Sequence, residues 1–450
     1  MIQKITPAVL PCIANAALRE YAQRYVDIEE GFREAVAQFG VPFAEGKAEG
    51  DGNAAEVERD EAVADLAARG LAVLNDGKSL VAGWQSSACE ACRLGLRTET
   101  FVLTLECPRR CFFCFNPNQE DFDGRAHGAR DVVGQLEARA DQGACLRHVA
   151  LTGGEPLLYP DETVAFFQRA RELFPGVHTR LYTSGWGLGE ELLARLCDAG
   201  LAEIRFSIKT DDAPEAIERV LAAIEQAVAF IPDVMVEMPV MPDELPLMRD
   251  VLVRLDGLGV RGVNLLELGF PFFNGDQFAR RGYCLKREPY RVLYDYAYAA
   301  GLPVEGSEEA CRALLRFVLD EGLSLGVHYC SMENKHTGQV YQQNVRFADR
   351  FPLHCLSRRD YFLKSTKAFG DDRALARELL RRNEVDFKDN DDFNFTEFPL
   401  EAIRLLRNEL PDVDLAVSYA ICEPRDGEVV LRELRLDRVT PLTFDFERDW

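Results

Sequence analysis

No apolar run in this chain approaches the ~20 residues that a membrane-spanning helix requires, so the sequence predicts no membrane protein. Positive charge is also scarce. The 52 Lys and Arg residues stand against 75 Asp and Glu, a formal net charge of −23. That balance argues against non-specific nucleic-acid binding through a basic surface. Internal repeats and low-complexity tracts are missing, so the fold is not to be read as a stack of repeated units. The thirteen cysteines are odd in number and clustered in spacing, which excludes a secreted disulfide scaffold. "ITPAVLPCIANAAL" faintly resembles an export signal, but two prolines interrupt it and it runs straight into the amphipathic "REYAQRYVDIEEGFREAVAQF". A cytoplasmic location is expected.

What is present is enough for a sizeable core: 450 residues, 47% of them hydrophobic, suggest two or three domains. Residues 1–44 read as helical, and "EGKAEGDGNAAEVERDEA" follows as an acidic, mobile linker. "GLAVLNDGKSLVAGW" alternates apolar and polar residues around Asn75-Asp76-Gly77, a hairpin signal. From about residue 98, strands alternate with helices: "TFVLTL", "RHVALT", "HTRLYTS", "AEIRFSI", "DVMVEMPV" and "RGVNLLEL" are the strands. Six βα units with right-handed crossovers predict an α/β fold, a partial (β/α)6 TIM-like barrel. Small N-terminal helical and hairpin and C-terminal α+β extensions flank it. The expected division is 1–97, 98–345 and 346–450. Chemistry in such a barrel sits at the C-terminal ends of the strands. Cys107, Gly153, Ser184, Ser207 and Glu267 all fall there in this register, with Glu267 a candidate for the barrel interior.

Three of the cysteines, Cys107, Cys111 and Cys114, occupy eight residues of "TLECPRRCFFCFNPNQ" at a strand end. Three thiolates on one loop can hold a [4Fe–4S] cube and leave one iron without a protein ligand. A zinc knuckle would need a fourth ligand that the loop does not supply. "LTGGEPLL" lies 39 residues beyond Cys114 and carries Gly153, Gly154, Glu155 and Pro156. Paired glycines let a ligand approach the backbone, and a carboxylate offers acceptors to an ammonium group. The C-x3-C-x2-C spacing, with the aromatic Phe113 before the last cysteine, and the Gly-Gly-Glu-Pro segment together resemble the radical S-adenosylmethionine (SAM) family. The resemblance implies a SAM-binding [4Fe–4S] cluster on the three cysteines and SAM contacts from Gly153–Pro156, Thr183, Ser184, Ser207 and Lys209. It also implies reductive cleavage of SAM to a 5′-deoxyadenosyl radical that takes hydrogen from a substrate. A flavodoxin- or ferredoxin-type electron donor would supply the electron. Arg109 and Arg110 could help dock an acidic carrier, although ordinary solvated charge is the plainer reading.

A second C-x-x-C, Cys89 and Cys92 in "SSACEACRLG", precedes the barrel, and Cys330 in "HYCSMENKH" follows it. This pattern resembles a branch related to pyruvate formate-lyase activating enzyme and implies an auxiliary iron–sulfur cluster, with Cys355, His328 or His336 as further ligands. Zinc or a redox dithiol also suits a C-x-x-C. Geometry opposes a shared site. The strand from Thr98 to Leu105 spans about 25 Å at ~3.3 Å per residue, placing Cys92 near the barrel floor. A seventh parallel strand at "SLGVHY" would leave Cys330 at the top. Sharing therefore requires that strand to run antiparallel or to lie outside the barrel. The substrate is expected to be a peptide, cofactor or metabolite. A glycyl-radical activase is the alternative, and a non-catalytic iron–sulfur or zinc scaffold the rival from another class.

Overall fold

The computed structural model describes residues 2–45, 52–119, 122–125, 127–294, 301–448 and 450. They divide into two compact units. One is Phe39–Arg287 with Tyr298–Lys335; the other is Met1–Gln38, Glu288–Ala297 and His336–Trp450. None of the described helices is long and apolar enough to cross a membrane.

The first unit is built on a nine-stranded sheet. A hairpin opens it, β1 (Ala72–Leu74) and β2 (Ser79–Ala82). It turns on Asn75, Asp76 and Gly77, all at positive φ, as the Asn-Asp-Gly signal predicts. Helix α1 (Ser87–Leu94) follows. Seven parallel strands come next: β3 (Thr98–Thr104), β4 (His148–Gly153), β5 (His178–Thr183), β6 (Glu203–Ser207), β7 (Asp233–Val240), β8 (Gly262–Glu267) and β9 (Gly326–Cys330). Helix α2 (Ser307–Glu321) lies in the last crossover. The sheet order is β1-β2-β9-β8-β7-β6-β5-β4-β3. The six expected strands are all there. "SLGVHY" adds a seventh, parallel to β8 and antiparallel to β2.

Along each parallel strand, every second residue is apolar and buried: Phe101 and Leu103, Val149 and Leu151, Leu181, Ile204 and Phe206, Val236 and Met238, Val263 and Leu265, Val327. Burying each of these side chains contributes about 1.5–3 kcal/mol. Many of the intervening residues are polar or charged, with Val102, Ala150, Met235 and Leu266 as apolar exceptions. Arg180, Tyr182, Glu203, Arg205, Glu237, Asn264 and His328 lie side by side across neighbouring strands. Parallel strands covered on both faces ordinarily read as near-continuous apolar runs. This alternation marks the inner face as a polar lumen.

The second unit holds a seven-stranded sheet. Its order is Gln3–Lys4, Glu428–Val439, Leu415–Arg425, Leu363–Phe369, Phe395–Phe398 and Lys388–Asn390, all antiparallel, with Cys355–Leu356 pairing Leu363–Phe369. The Asp426-Gly427 hairpin is the one expected from sequence.

These units do not follow the expected division at residues 97/98 and 345/346. The hairpin β1–β2 belongs to the barrel unit because β2 pairs along β9. Helix Ala16–Ala37 belongs to the other unit, where Leu18, Ala22 and Val26 are buried with Phe369, Phe395, Ala416 and Leu436. Residues 1–44 are not uniformly helical, since Gln3–Lys4 forms a strand with Asp437 and Arg438. Residues 46–51 of the expected linker lie outside the described residues. Its remainder is helix, Gly52–Ala68, as its Ala and Glu content favours.

Candidate active site

The cysteine loop leaves β3 at Thr104 and passes over the C-terminal ends of the parallel strands. Side chains staple it there. Asn116 Nδ2 donates to Gly153 O at 3.0 Å, and Asn274 Nδ2 donates to Phe112 O at 3.2 Å. Arg109 Nη1 donates to Ser207 O at 3.1 Å and Arg109 pairs with Asp212 at 3.4 Å. Phe112 packs edge-on against Phe113 and Phe278, each at 4.9 Å between ring centres. Lys209, 6% exposed, places its ammonium against Cys111 Sγ and 5.9 Å from the Phe113 ring centre. The loop thus carries Cys107, Cys111 and Cys114 to the ends of β4 and β6. Burial pushes the Cys107 and Cys114 thiols up, and a bound metal would hold them as thiolates. No three His, Cys, Asp or Glu side chains among the described residues converge on a point for a single metal ion. A cube distributes its thiolates over different irons and needs no such point.

Gly153 and Gly154 are required by backbone approach. A Cβ on Gly153, at φ 142°, would stand 2.1 Å from Thr104 O, and one on Gly154 would stand 2.0 Å from Glu106 O. The same contacts are made productive by hydrogen bonds: Gly154 N to Thr104 O and Glu155 N to Glu106 O, both 2.7 Å. The Gly-Gly-Glu segment is thereby fastened to the start of the cysteine loop. Gly154→Ala is expected to part the two, and reconstituted iron in that variant should fall well below wild type.

Glu155 corrects the sequence reading. Its carboxylate is fully buried, and four protein groups donate to it. Leu157 N and Thr183 Oγ1 reach Oε1 at 3.1 and 2.7 Å, while Ser184 N at 2.7 Å and the Ser184 hydroxyl reach Oε2. The side chain is occupied by the ends of β4 and β5 and is not free to receive an ammonium group. Thr183 and Ser184 are likewise committed to it. Pro156 is buried at the start of the 3-10 turn Pro156–Leu158. Glu155→Ala would leave four donors without their acceptor. It should lower stability by at least about 3 kcal/mol, measured by urea unfolding, with SAM affinity falling as a consequence.

Residues 101–255 match the family model of the radical SAM superfamily. Over these residues, about a third of the chain, it is similar to the radical SAM superfamily. It is 36% identical over 118 residues to a PqqA peptide cyclase of Rhizobium meliloti, a match covering 26% of this chain and 30% of that protein's length. A Methanocaldococcus jannaschii protein, provisionally named a glycyl-radical enzyme activating enzyme, is 25% identical over 310 residues, 67% of this chain and 78% of that one. Among solved structures, the coproporphyrinogen III oxidase of Escherichia coli is 13% identical, covers 53% of this chain and 57% of its own, and has a TM-score of 0.34.

A second set of cysteines belongs to the barrel unit, with Cys89 and Cys330 part-buried and Cys92 exposed. The Ser86 hydroxyl donates to Glu203 and accepts from Ala88 N at 3.1 Å, capping α1 at its start. Gly95, at φ 64°, ends the helix with its N–H on Ala91 O and Cys92 O. So anchored, α1 turns Cys89 toward the lumen, while Ser87, Glu90 and Cys92 are exposed. Cys89 Sγ meets Arg205 Nη2 at 3.3 Å and the Asn264 amide at 3.6 Å. Cys330, paired with Leu266 at the end of β9, points to the same interior. Burial pushes its thiol up to about 11, and the neighbouring Cys92 and Cys89 sulfurs add to the rise. β9 runs parallel, the case the geometric objection supposed. Cys89 nonetheless reaches Arg205 and Asn264 in the middle of β6 and β8, and it and Cys92 are near enough for their charges to act on Cys330. Arg180, opposite Glu203 on the neighbouring strand, is 3% exposed, and its Nε has no hydrogen-bond partner among the described residues.

The suggested further ligands are otherwise engaged. His328 has Nδ1 on Asn264 Oδ1 at 3.0 Å and Nε2 on Ser79 Oγ at 2.9 Å. Cys355 and His336 belong to the other unit. There Cys355 Sγ donates to Lys364 O at 3.5 Å and His336 stacks on Tyr290 at 4.5 Å.

Glu267 closes β8 but does not face the lumen. It is one position off the inner set and lies with Glu308 and Cys311 of α2, its Oε2 accepting from Met332 N at 2.7 Å and its Oε1 unpartnered among the described residues. Burial pushes its carboxyl up to about 7, against the pull of Lys286. A folded pKa above the unfolded value means stability is fully present below about pH 4.5 and lost as pH rises through about 7. Glu267→Gln removes that loss. The variant's stability relative to wild type should grow across this window, to on the order of 3 kcal/mol at pH 8, in unfolding titrations at several pH values.

Proposed function

We infer that this chain binds a [4Fe–4S] cluster through Cys107, Cys111 and Cys114 and uses it to cleave SAM reductively. The observation that carries this reading is the stapling of the three-cysteine loop to Gly153 and Gly154, where backbone contacts exclude any side chain. Bound by these cysteines, the cluster would supply the electron for reductive cleavage of SAM, and the radical chemistry toward a substrate would be the cofactor's. The protein's own part is positioning. Asn116, Asn274 and Arg109 hold the loop over the strand ends. Lys209 sets a positive charge beside Cys111, which offsets thiolate charge, and Phe112 and Phe113 keep water from that side. Ser207, whose carbonyl holds Arg109, stands at the SAM end of β6. Adding SAM to the dithionite-reduced protein should change the electron paramagnetic resonance spectrum of the cluster. An unchanged spectrum would count against the reading.

The substrate class we favour is a peptide, cofactor or small metabolite, supported by the separate C-terminal α+β unit and by the similarity to a peptide cyclase over 118 residues. Activation of a glycyl-radical enzyme is a second reading, favoured by the similarity that runs over 310 residues. An external flavodoxin- or ferredoxin-type protein would deliver the electron. A reducing, cytoplasmic setting agrees with thirteen cysteines that are all free thiols. Cys89, Cys92 and Cys330 are proposed as ligands of one auxiliary iron–sulfur centre in the lumen. The reach of Cys89 to Arg205 and Asn264, and the influence of the Cys89 and Cys92 charges on Cys330, support this.

A further inference from the structure

We propose that Arg205 sets the reduction potential of the auxiliary centre, acting as a positioning residue on its Cys89 ligand. The proposal rests on the reading of Cys89, Cys92 and Cys330 as one centre. Arg205 is 2% exposed, in the middle of β6. Each nitrogen of its guanidinium has a different partner. Nε meets Glu203, Nη1 meets Glu237 Oε1 at 2.6 Å, and Nη2 meets Cys89 Sγ at 3.3 Å. The two carboxylates lock the plane of the fork. Glu203 is held in turn by Ser86 and by His178 Nε2 at 3.2 Å, and Glu237 by Asn264 Nδ2 at 2.8 Å.

Charge balance alone would be met by the carboxylates. The third nitrogen is instead directed at a sulfur, which is a weak acceptor as a thiol and a much better one as a metal-bound thiolate. Hydrogen bonds to ligand sulfurs and local charge are among the factors that set cluster potentials. A donor with full positive charge stabilises the more negative, reduced cluster more than the oxidised one, so Arg205 raises the potential. Glu237, a negative charge on the same fork, lowers it. The lumen thus holds two opposing charges on one rigid scaffold.

The test uses the chain with Cys107, Cys111 and Cys114 all replaced by Ala, in which the auxiliary centre alone remains. Its midpoint potential is read by redox titration followed by electron paramagnetic resonance. Arg205→Gln should lower the one-electron equilibrium constant tenfold or more, a downward shift of at least about 59 mV. Arg205→Lys, which keeps the charge and loses the fork, should shift it down by less. Glu237→Gln should shift it up. Opposite signs separate electrostatic tuning from mere loss of packing, which has no reason to follow the sign of the removed charge. Where Arg205→Gln does not fold, the directions of Arg205→Lys and Glu237→Gln decide. Unchanged potentials in variants that keep their iron would overturn the proposal. A parent triple variant that holds no iron would instead overturn the assignment of the auxiliary centre.

Discussion

Replacing Cys107, Cys111 and Cys114 together by Ala should abolish formation of 5′-deoxyadenosine from SAM and reduce reconstituted iron from close to eight atoms to about four, the count of one remaining cube. The effect is expected to be all-or-none because the cluster carries the chemistry and the chain only positions it. Each single replacement should abolish cleavage as well. The three thiols share one loop, and two ligands cannot hold a cube rigidly beside the Gly153–Gly154 backbone. Iron assay with product analysis checks both halves of the expectation. Normal cleavage by the triple variant would place the chemistry elsewhere.

The second large effect concerns Cys330. Its replacement by Ala should remove about four irons while leaving the first cluster in place, and Cys89→Ala with Cys92→Ala should do the same. The physical ground is the lumen geometry. α1 is fixed by Ser86 on Glu203 and presents Cys89 to Arg205 and Asn264. Cys330, on the strand beside Asn264 and Leu266, faces the same space. A centre that needs all three ligands is lost when either segment is changed. Iron lost with Cys89 and Cys92 but kept without Cys330 would assign the two segments to different sites.

The barrel and its catalytic rim were legible in the sequence because both obey short-range rules. Strand period and turn residues identify β3 to β8, and the C-terminal end of each strand then follows by counting. Cys107, Gly153, Ser184, Ser207 and Glu267 stand where that counting puts them. Glu155 was misread because its role depends on tertiary partners. A carboxylate after two glycines looks available until Thr183 and Ser184 arrive from the next strand. The length of β3 sets Cys92 near the floor, just before that strand begins. Nothing local announces that Cys89 of α1 meets Arg205 and Asn264.

One signal was present and unused. "RLYT", "EIRFS", "VEM", "GVNLL" and "GVHYC" alternate polar and apolar residues in strands that a closed parallel barrel should fill with apolar side chains. That alternation would have pointed to Arg180, Glu203, Arg205, Glu237, Asn264 and His328 as lining a functional interior. It carries no information on which cysteine reaches them. The domain division failed for a similar reason. Strand pairing between Gln3–Lys4 and Glu428–Val439 joins segments more than 400 residues apart, and no local pattern encodes such a contact.

The most direct measurement is product analysis of the wild-type protein. Anaerobically reconstituted chain, incubated with SAM and dithionite and resolved by liquid chromatography with mass detection, should form 5′-deoxyadenosine and methionine in equal amounts. Intact SAM after prolonged incubation, in protein that has taken up its full iron, would contradict the account.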